Sequence, residues 1–462
     1  MDQVETAVEQ TVAAEAGLRR SLTSGQLTMI AIGGAVGTGL FLGSGFAIGL
    51  AGPSVLVSYA IGGVIALLLM GALAEMTVAH PTPGSFGVYA EHYVGPLAGF
   101  LVRYAYWSCV VLAVGTEVTA VAEYMRFWLP EAPGWWSIGG FSVGLVAVNA
   151  LSVRAYGVVE YGFSLIKVAA IAGFILLGAV MVFGAEPGSG VGFHNYVVHG
   201  GFFPNGLWGS WTAVIVAIFS YLSIEVIAVA AGEAKDPERA VTRAFRATLA
   251  RLAIFYLATL ALMLAIVPWT EAGAGGSPFV RVMSATGLPG AAGVINFVIL
   301  VAALSAMNSQ LYAATRMMFS LSRAGHAPRA LGRLDRRGVP VAALFASTLG
   351  MGVAGLVYGW RPDEAFTLMI SVSMFGALFT WMMIFVTHLY FRARRGRPTE
   401  GFRMWGAPWT SLAGALLLAA ILATTPFTRE FRMTLAYGAP VLAALTLAYW
   451  LRGRRTARQP RA

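Results

Sequence analysis

Long apolar runs separated by short polar segments fill the chain from residue 27 to residue 451. Most runs reach about 20 residues, the length a helix needs to cross a bilayer core of roughly 30 Å. Lipid offers the backbone no hydrogen-bond partners, so runs of this length predict helices. The pattern places about twelve spans, centred on 27–50, 54–79, 97–125, 136–153, 158–184, 209–232, 244–268, 289–318, 341–359, 364–391, 408–426 and 431–451. The longest polar segments, from Arg316 to Arg337 and around 185–208, are too short to build a core of their own.

Composition agrees with an all-α polytopic membrane protein. The 462 residues are 58% hydrophobic and 11% charged, with a mean hydropathy of +0.72. A soluble domain carries roughly 25% charged residues, so this chain has too little charge for a water-facing surface. The net charge of +10 does not point to nucleic acid, because the arginines fall in short loops between apolar runs. When alternate loops are assigned inside, roughly 26 of the 31 Lys and Arg residues fall on one side. That set includes Arg19, Arg20, Arg239, Arg243, Arg246, Arg323, Arg333, Arg336, Arg337, Arg392, Arg394, Arg395 and Arg397, then Arg452, Arg454 and Arg455. The bias predicts a multi-pass protein of the cytoplasmic (inner) membrane with both termini in the cytoplasm. The Arg-rich end from Arg452 to Arg461 reads as a positive-inside anchor with affinity for anionic lipid.

Little else in the composition suggests chemistry. The single cysteine, Cys109, lies inside an apolar run and can form no intramolecular disulfide. Residues 1–26 are polar and do not read as a cleavable signal peptide. His194 and His199 have no nearby Cys or acidic partners, so no metal is expected and no cofactor is implied. No clustered His, Asp and Glu set suggests a membrane enzyme, and no charged ring or repeated filter segment suggests a channel.

Two spans are poor helices. The first reads Ile32-Gly33-Gly34-Ala35-Val36-Gly37-Thr38-Gly39-Leu40-Phe41, with four glycines within seven positions. Glycine is about 1 kcal/mol worse than alanine in a helix. Close packing alone is one reading, since Gly39 to Gly43 and Gly45 to Gly49 keep small-residue spacing. The sixth span carries Phe219-Ser220-Tyr221-Leu222-Ser223-Ile224-Glu225. A carboxylate there costs roughly 2.5–3.5 kcal/mol to insert, so it is seldom accidental. Interruptions in spans 1 and 6 are the mark of a five-plus-five inverted repeat, with disrupted segments meeting near the bilayer midplane. The freed N–H groups of one break suit an anion such as a substrate carboxylate, and unwound carbonyls suit an ammonium. An α-amino acid carries both.

These stretches resemble the amino-acid permeases of the amino acid–polyamine–organocation superfamily, especially the bacterial amino-acid transporter family. Gly33 to Phe41, followed by Gly52-Pro53, is similar to that family's first-helix break. Gly71-Ala72-Leu73-Ala74-Glu75-Met76 with Pro83-Gly84-Ser85-Phe86 is similar to the end of its second helix and the segment that follows. Glu160-Tyr161 through Ile166-Lys167-Val168 is similar to its fifth helix. Ala231-Gly232-Glu233-Ala234-Lys235-Asp236-Pro237-Glu238-Arg239-Ala240 is similar to the loop after its sixth. Asn308-Ser309, Arg316 and Ser322-Arg323-Ala324-Gly325-His326-Ala327-Pro328 resemble its eighth helix and beyond. The likeness runs in register from about residue 20 to 330. It departs at Ser223, where the family's Phe-x-Gly-x-Glu pattern has glycine.

The resemblance implies a secondary active amino-acid transporter, not an enzyme, with a leucine-transporter-type fold and two additional C-terminal helices. The expected organisation is a cytoplasmic tail (1–26) and a transporter core (27–391) whose repeats cover about 27–184 and 209–391. A loop with two further spans (392–451) and a basic tail (452–462) follow. The amides near Val36, Gly37, Thr38 and Gly39 are expected to hold the substrate carboxylate. The carbonyls near Phe219, Ser220 and Leu222 are expected to hold its ammonium, with Ser223 and Glu225 lining the same pocket.

Lys167 lies about nine residues into the fifth span, roughly 13 Å deep at 1.5 Å per residue. In the family, a lysine here occupies the place of a sodium ion in sodium-coupled relatives, which makes Gly33 and Ser305 its expected neighbours. A desolvated lysine can release and regain a proton during transport. Lys167 is therefore the expected proton-coupling residue, with Glu117 in the third span as a second candidate for a substrate or proton role. Glu160, on the same helical face as Lys167, reads as structural, and Tyr106 and Trp107 as pocket caps or packing residues. The expected partners are an amino acid, protons and the bilayer. Exchange, uniport or a non-transporting sensor on the same fold stay open at this stage. So does side-chain preference: Glu117 and Glu225 would favour a cationic substrate if ionised and free, and a neutral or aromatic one if protonated or paired.

Overall fold

The computed structural model describes residues 22–457 other than 187, 236, 275 and 397–401, together with the isolated positions 6 and 18. Arg19, Arg20, Asp236, Arg397 and the tail from residue 458 lie outside the described residues, as do the side chains of Arg243, Arg246, Arg452, Arg454 and Arg455. Within this range the chain is helical throughout, and the only bridge between extended segments pairs Leu22 with Ala234. Ten described helices are long and apolar enough to cross a membrane.

The first span is three pieces, Ser24–Ala35, Thr38–Phe41 and Gly43–Ala51, and a short turn at Gly52–Ser54 leads into the second, Val55–Ala79. The third to fifth follow as Pro96–Arg126, Gly134–Leu151 and Val153–Phe183. The sixth is split into Gly206–Tyr221 and Val226–Ala231. The seventh, Pro237–Ile266, begins before its apolar stretch, because its first turns carry Glu238, Arg239, Arg243 and Arg246 and read from sequence as loop. The eighth is Ala291–Arg323, the ninth Val341–Ser347 with Leu349–Trp360, and the tenth Ala365–Arg395. Trp409–Thr424 and Arg432–Ala457 complete the set.

Successive spans alternate in direction, which divides the molecule into two ends. The near end carries Ser24, the turn after Ala79, Ser152, Gly232, Arg323 and Arg395; the far end carries the turns after Ala51, Arg126, Phe183, Ile266 and Trp360. Local chemistry places several boundaries. Ser152 caps the fifth span by accepting from the Ala155 amide at 3.0 Å. Pro96 opens the third at its first turn, where a missing N–H costs nothing. Gly396, at φ +71°, ends the tenth beyond three arginines in its last turn.

Burial orders the helices from the inside out. The sixth span is wholly enclosed, while the fourth, fifth and twelfth present most of their apolar surface outward. The third span is the central post, packed against the eighth, ninth and tenth. The piece Ser24–Ala35 lies against the fifth, seventh and eighth spans, so the first-span break sits within the bundle. Glycines permit the tightest approaches. A Cβ on Gly45 would stand 3.1 Å from the Gly276 carbonyl oxygen, and one on Gly49 3.2 Å from that of Gly273. The small residues after the first break therefore do serve packing, against the segment between the seventh and eighth spans.

Candidate substrate and coupling site

The two interruptions meet. A Cβ on Gly34 would lie 3.0 Å from that of Ser223, and one on Gly39 only 2.6 Å from the Ser220 Cα. At Gly39 backbone passes backbone without room for a methyl group, and at Gly34 a methyl would press on the Ser223 side chain. Gly37 is extended (φ −126°, ψ −154°) and begins the short Thr38–Phe41 helix, and a Cβ there would meet that of Ala306 at 2.6 Å. In the sixth span the helix stops at Tyr221, Leu222 turns extended (ψ +150°), and Ser223 takes φ +80°. That left-handed conformation is costly for any residue but glycine.

The sixth break is held by side chains rather than by glycine. The Glu225 carboxylate accepts from the Ser223 amide at 3.1 Å and from the Tyr106 hydroxyl at 2.9 Å through Oε1, and from Trp381 Nε1 at 3.2 Å through Oε2. Glu225 thus closes its own turn while tying the sixth span to the third and tenth. Tyr256 donates to the Ser220 carbonyl at 2.6 Å, and the Leu222 amide donates to Phe219 O at 3.1 Å. The Tyr59 hydroxyl lies 2.9 Å from Ser220 Oγ and 3.3 Å from Gly39 O, bracing both breaks at once. Tyr106 therefore reaches the site, and Trp107 does not: its Nε1 donates to Ser347 at 3.1 Å.

In the first break the Thr38 amide donates to the Glu117 carboxylate across 3.4 Å. The amide expected to receive a substrate carboxylate thus faces one supplied by the third span. The Thr38 and Gln310 side chains both adjoin the Glu117 carboxylate, and all three are buried. The third and eighth spans thus surround the first break with polar groups.

Lys167 lies at the other face of the first break. The fifth helix begins at Val153, so Lys167 is deeper than the apolar pattern suggests, about 21 Å along the axis at 1.5 Å per residue. Its Nζ donates to the Val36 carbonyl at 3.0 Å and to Ser305 Oγ at 2.7 Å. The packing of the Gly33 position lies outside what the structure describes. Ser305 in turn donates to Glu160 Oε1, whose other oxygen accepts from Asn308 Nδ2 at 3.0 Å. Asn149 Nδ2 reaches Asn308 Oδ1 at 2.7 Å. A chain of polar groups thus runs from the first-span break to Asn149, two residues from the near end of the fourth span.

The near end is closed beneath the breaks. Leu22 exchanges backbone hydrogen bonds with Glu233 and Lys235, each at 3.1 Å. The Glu233 carboxylate accepts from Arg316 at 2.8 Å and Tyr312 at 2.6 Å, and Arg316 lies 4.1 Å over the Tyr312 ring. Tyr312 stacks on Tyr156 with centroids 4.3 Å apart. Glu75 and Arg392 add a 2.6 Å ion pair between the second and tenth spans. At the far end a cavity of about 270 Å³ is lined by Leu42, Phe46, Glu123, Tyr358, Asp363 and Phe366 among others. Leu42, four residues beyond Thr38, lines this cavity.

Sequence reading missed several partners of the site: Tyr59, Tyr256, Trp381, Gln310 and Asn149. Each is an aromatic or amide inside a span, a residue type equally common as packing or interface anchor, and its target lies far away in sequence.

The amino acid permease family profile matches residues 26–460. An uncharacterized amino acid permease of Bacillus subtilis (strain 168), YtnA, is 38% identical over 443 residues, covering 94% of this chain and 95% of its own. The gamma-aminobutyric acid permease of the same organism is 35% identical over 439 residues, covering 94% of each chain. The aromatic amino acid transport protein AroP of Salmonella typhimurium (strain LT2) is 38% identical over 409 residues, covering 88% of this chain and 89% of its own. This multi-pass, all-helical chain, matched over nearly its whole length, belongs to the amino acid permease family.

Proposed function

We propose that this permease imports an amino acid by proton symport, with alternating access, across a bacterial cytoplasmic membrane. The near end is then the cytoplasmic one, as the positive-inside bias of the loops favours. Residues 27–184 and 209–391 form the two repeats, and the segment 392–451 supplies the two peripheral helices. The substrate carboxylate takes the amides around Gly37 and Gly39 and displaces Glu117 from that of Thr38, and the ammonium takes the carbonyls around Ser220 and Leu222.

The observation that carries the reading is the seat of Lys167. Its ammonium is buried mid-helix, where a charge costs about 2.5–3.5 kcal/mol, and its partners include a carbonyl of the first-span break and a hydroxyl of the eighth span. A proton on Lys167 holds the first break to the eighth span, and its loss frees Val36. Proton occupancy and the geometry of the substrate amides are thereby linked. Both Glu225 oxygens already accept from the third, sixth and tenth spans, which supports a neutral side chain over a cationic one. The relatives named for aromatic amino acids and gamma-aminobutyrate point the same way.

The test is uptake of pooled radiolabelled amino acids, 4-aminobutyrate included, into proteoliposomes with and without an inward proton gradient. The expected result is saturable accumulation that a protonophore collapses and that Lys167→Met reduces by about tenfold or more. Competition by single amino acids then names the substrate. Uptake indifferent to the gradient would instead make the protein an exchanger or facilitator. Absence of uptake by folded protein would favour a sensor on the same scaffold.

A further inference from the structure

The polar chain beside Lys167 has a direction, set by which groups can donate. Lys167 Nζ has only protons to give, so at 2.7 Å the Ser305 oxygen must accept from it. The Ser305 hydroxyl proton is then free to point elsewhere, and it points at Glu160 Oε1. Glu160 Oε2 is held by Asn308 Nδ2, which can only donate, so the carboxyl is oriented with Oε1 toward Ser305. All three groups are fully buried. A carboxylate enclosed in a bundle is costly, and a purely structural partner for Asn308 could be an amide.

We propose that Glu160 is the proton acceptor for Lys167, and that the Ser305 hydroxyl relays the proton between them. The inference rests on the proton-symport reading. In the step, the Lys167 ammonium passes one proton to Ser305 Oγ while Ser305 passes its own hydroxyl proton to Glu160 Oε1. An N–H bond and an O–H bond break, two O–H bonds form, and the products are a neutral amine, an unchanged serine and a carboxylic acid. Two buried opposite charges bridged by a hydroxyl become two neutral groups without moving a heavy atom, so the low dielectric that burdens the charged state favours the transfer. The neutral amine no longer holds Val36 as a charged donor. Glu160 lies seven residues nearer than Lys167 to the start of the fifth span, so the proton has moved toward the near end. Among the described residues, the other titratable groups around the pair include Tyr156 on the same helix and Glu117 across the first break.

Three variants test this in proteoliposomes, with the uptake substrate identified by the competition assay. Glu160→Gln and Ser305→Ala are expected to lose gradient-driven accumulation by about tenfold or more and to lose distinctly less counterflow, because counterflow needs no net proton release. Ser305→Thr keeps a hydroxyl and is expected to restore accumulation. Difference infrared spectra of the wild type across a pH titration are expected to show a protonated-carboxyl band that Glu160→Gln removes. A Glu160→Gln protein that still concentrates substrate overturns the relay. So does equal loss of counterflow and accumulation that Ser305→Thr fails to rescue, or an infrared band indifferent to position 160. Wild-type uptake that ignores the gradient would instead overturn the symport reading itself, a result the wild type alone reveals.

Discussion

At Ser223 the side chain and the backbone are in conflict. Its φ of +80° is the one a glycine adopts freely, and for another residue the left-handed region costs about 1–2 kcal/mol. The surrounding contacts over-determine it: Glu225 takes the Ser223 amide, and Tyr106 and Trp381 fix Glu225. Strain of this kind survives where the geometry itself is needed. Ser223→Gly is therefore expected to keep transport and to leave the folded state as stable or up to about 1 kcal/mol more so, read as a melting temperature raised by a few degrees. Ser223→Val should fail both measurements, since a branched side chain meets the same conformation and crowds Gly34. A loss of stability on Ser223→Gly would mean that the serine hydroxyl, not the backbone, holds the turn.

For whole elements, the decisive question is which glycines mark a break and which mark a contact. A methyl on Gly37 would meet Ala306 at 2.6 Å and Glu117 at 3.0 Å, and one on Gly39 would meet Ser220 backbone at 2.6 Å. At Gly43 the nearest atom is the far end of Val216, at 3.4 Å. Gly37→Ala and Gly39→Ala should each lower uptake by about tenfold or more in membranes that still contain the protein. Gly43→Ala should stay near wild type, and the paired uptake and expression measurements decide it.

The sequence alone ranks these glycines poorly, because spacing shows that small residues recur but not what faces them. It does better with length and polarity. The spans follow from apolar runs, and the first break from its glycines and the sixth from a carboxylate beside two hydroxyls. Boundaries err where the surface is mixed: Arg154 hides the true start of the fifth span, and the charged first turns hide that of the seventh. The depth of Lys167 is underestimated for the same reason. Pairings such as Asn149 with Asn308 or Trp381 with Glu225 join residues 159 and 156 positions apart, and no local periodicity records them.

For the molecule as a whole, the two ends are unequal. Beneath the breaks, Glu233, Arg316, Tyr312 and Tyr156 form a buried clasp that the Leu22–Ala234 bridge seals, joining the segment before the first span to the fifth, sixth and eighth spans. Removing one partner from a buried ion pair costs about 3–5 kcal/mol, because the other charge is stranded. In Arg316→Ala, amide hydrogen exchange over Val226–Lys235 should quicken by about tenfold or more while the eleventh and twelfth spans are unchanged. Uniform quickening would mean global destabilisation, and no change would mean that the clasp is not what shuts this end. At the far end, among the described residues, the cavity beside Leu42 is walled by Phe46, Tyr358 and Phe366 and by Glu123, whose pair with Arg126 is exposed rather than buried. If substrate enters through this cavity, as the proposed transport direction requires, a bulky aromatic amino-acid analogue should act as a stopper when added on that side and be without effect from the opposite compartment, where the door is already shut.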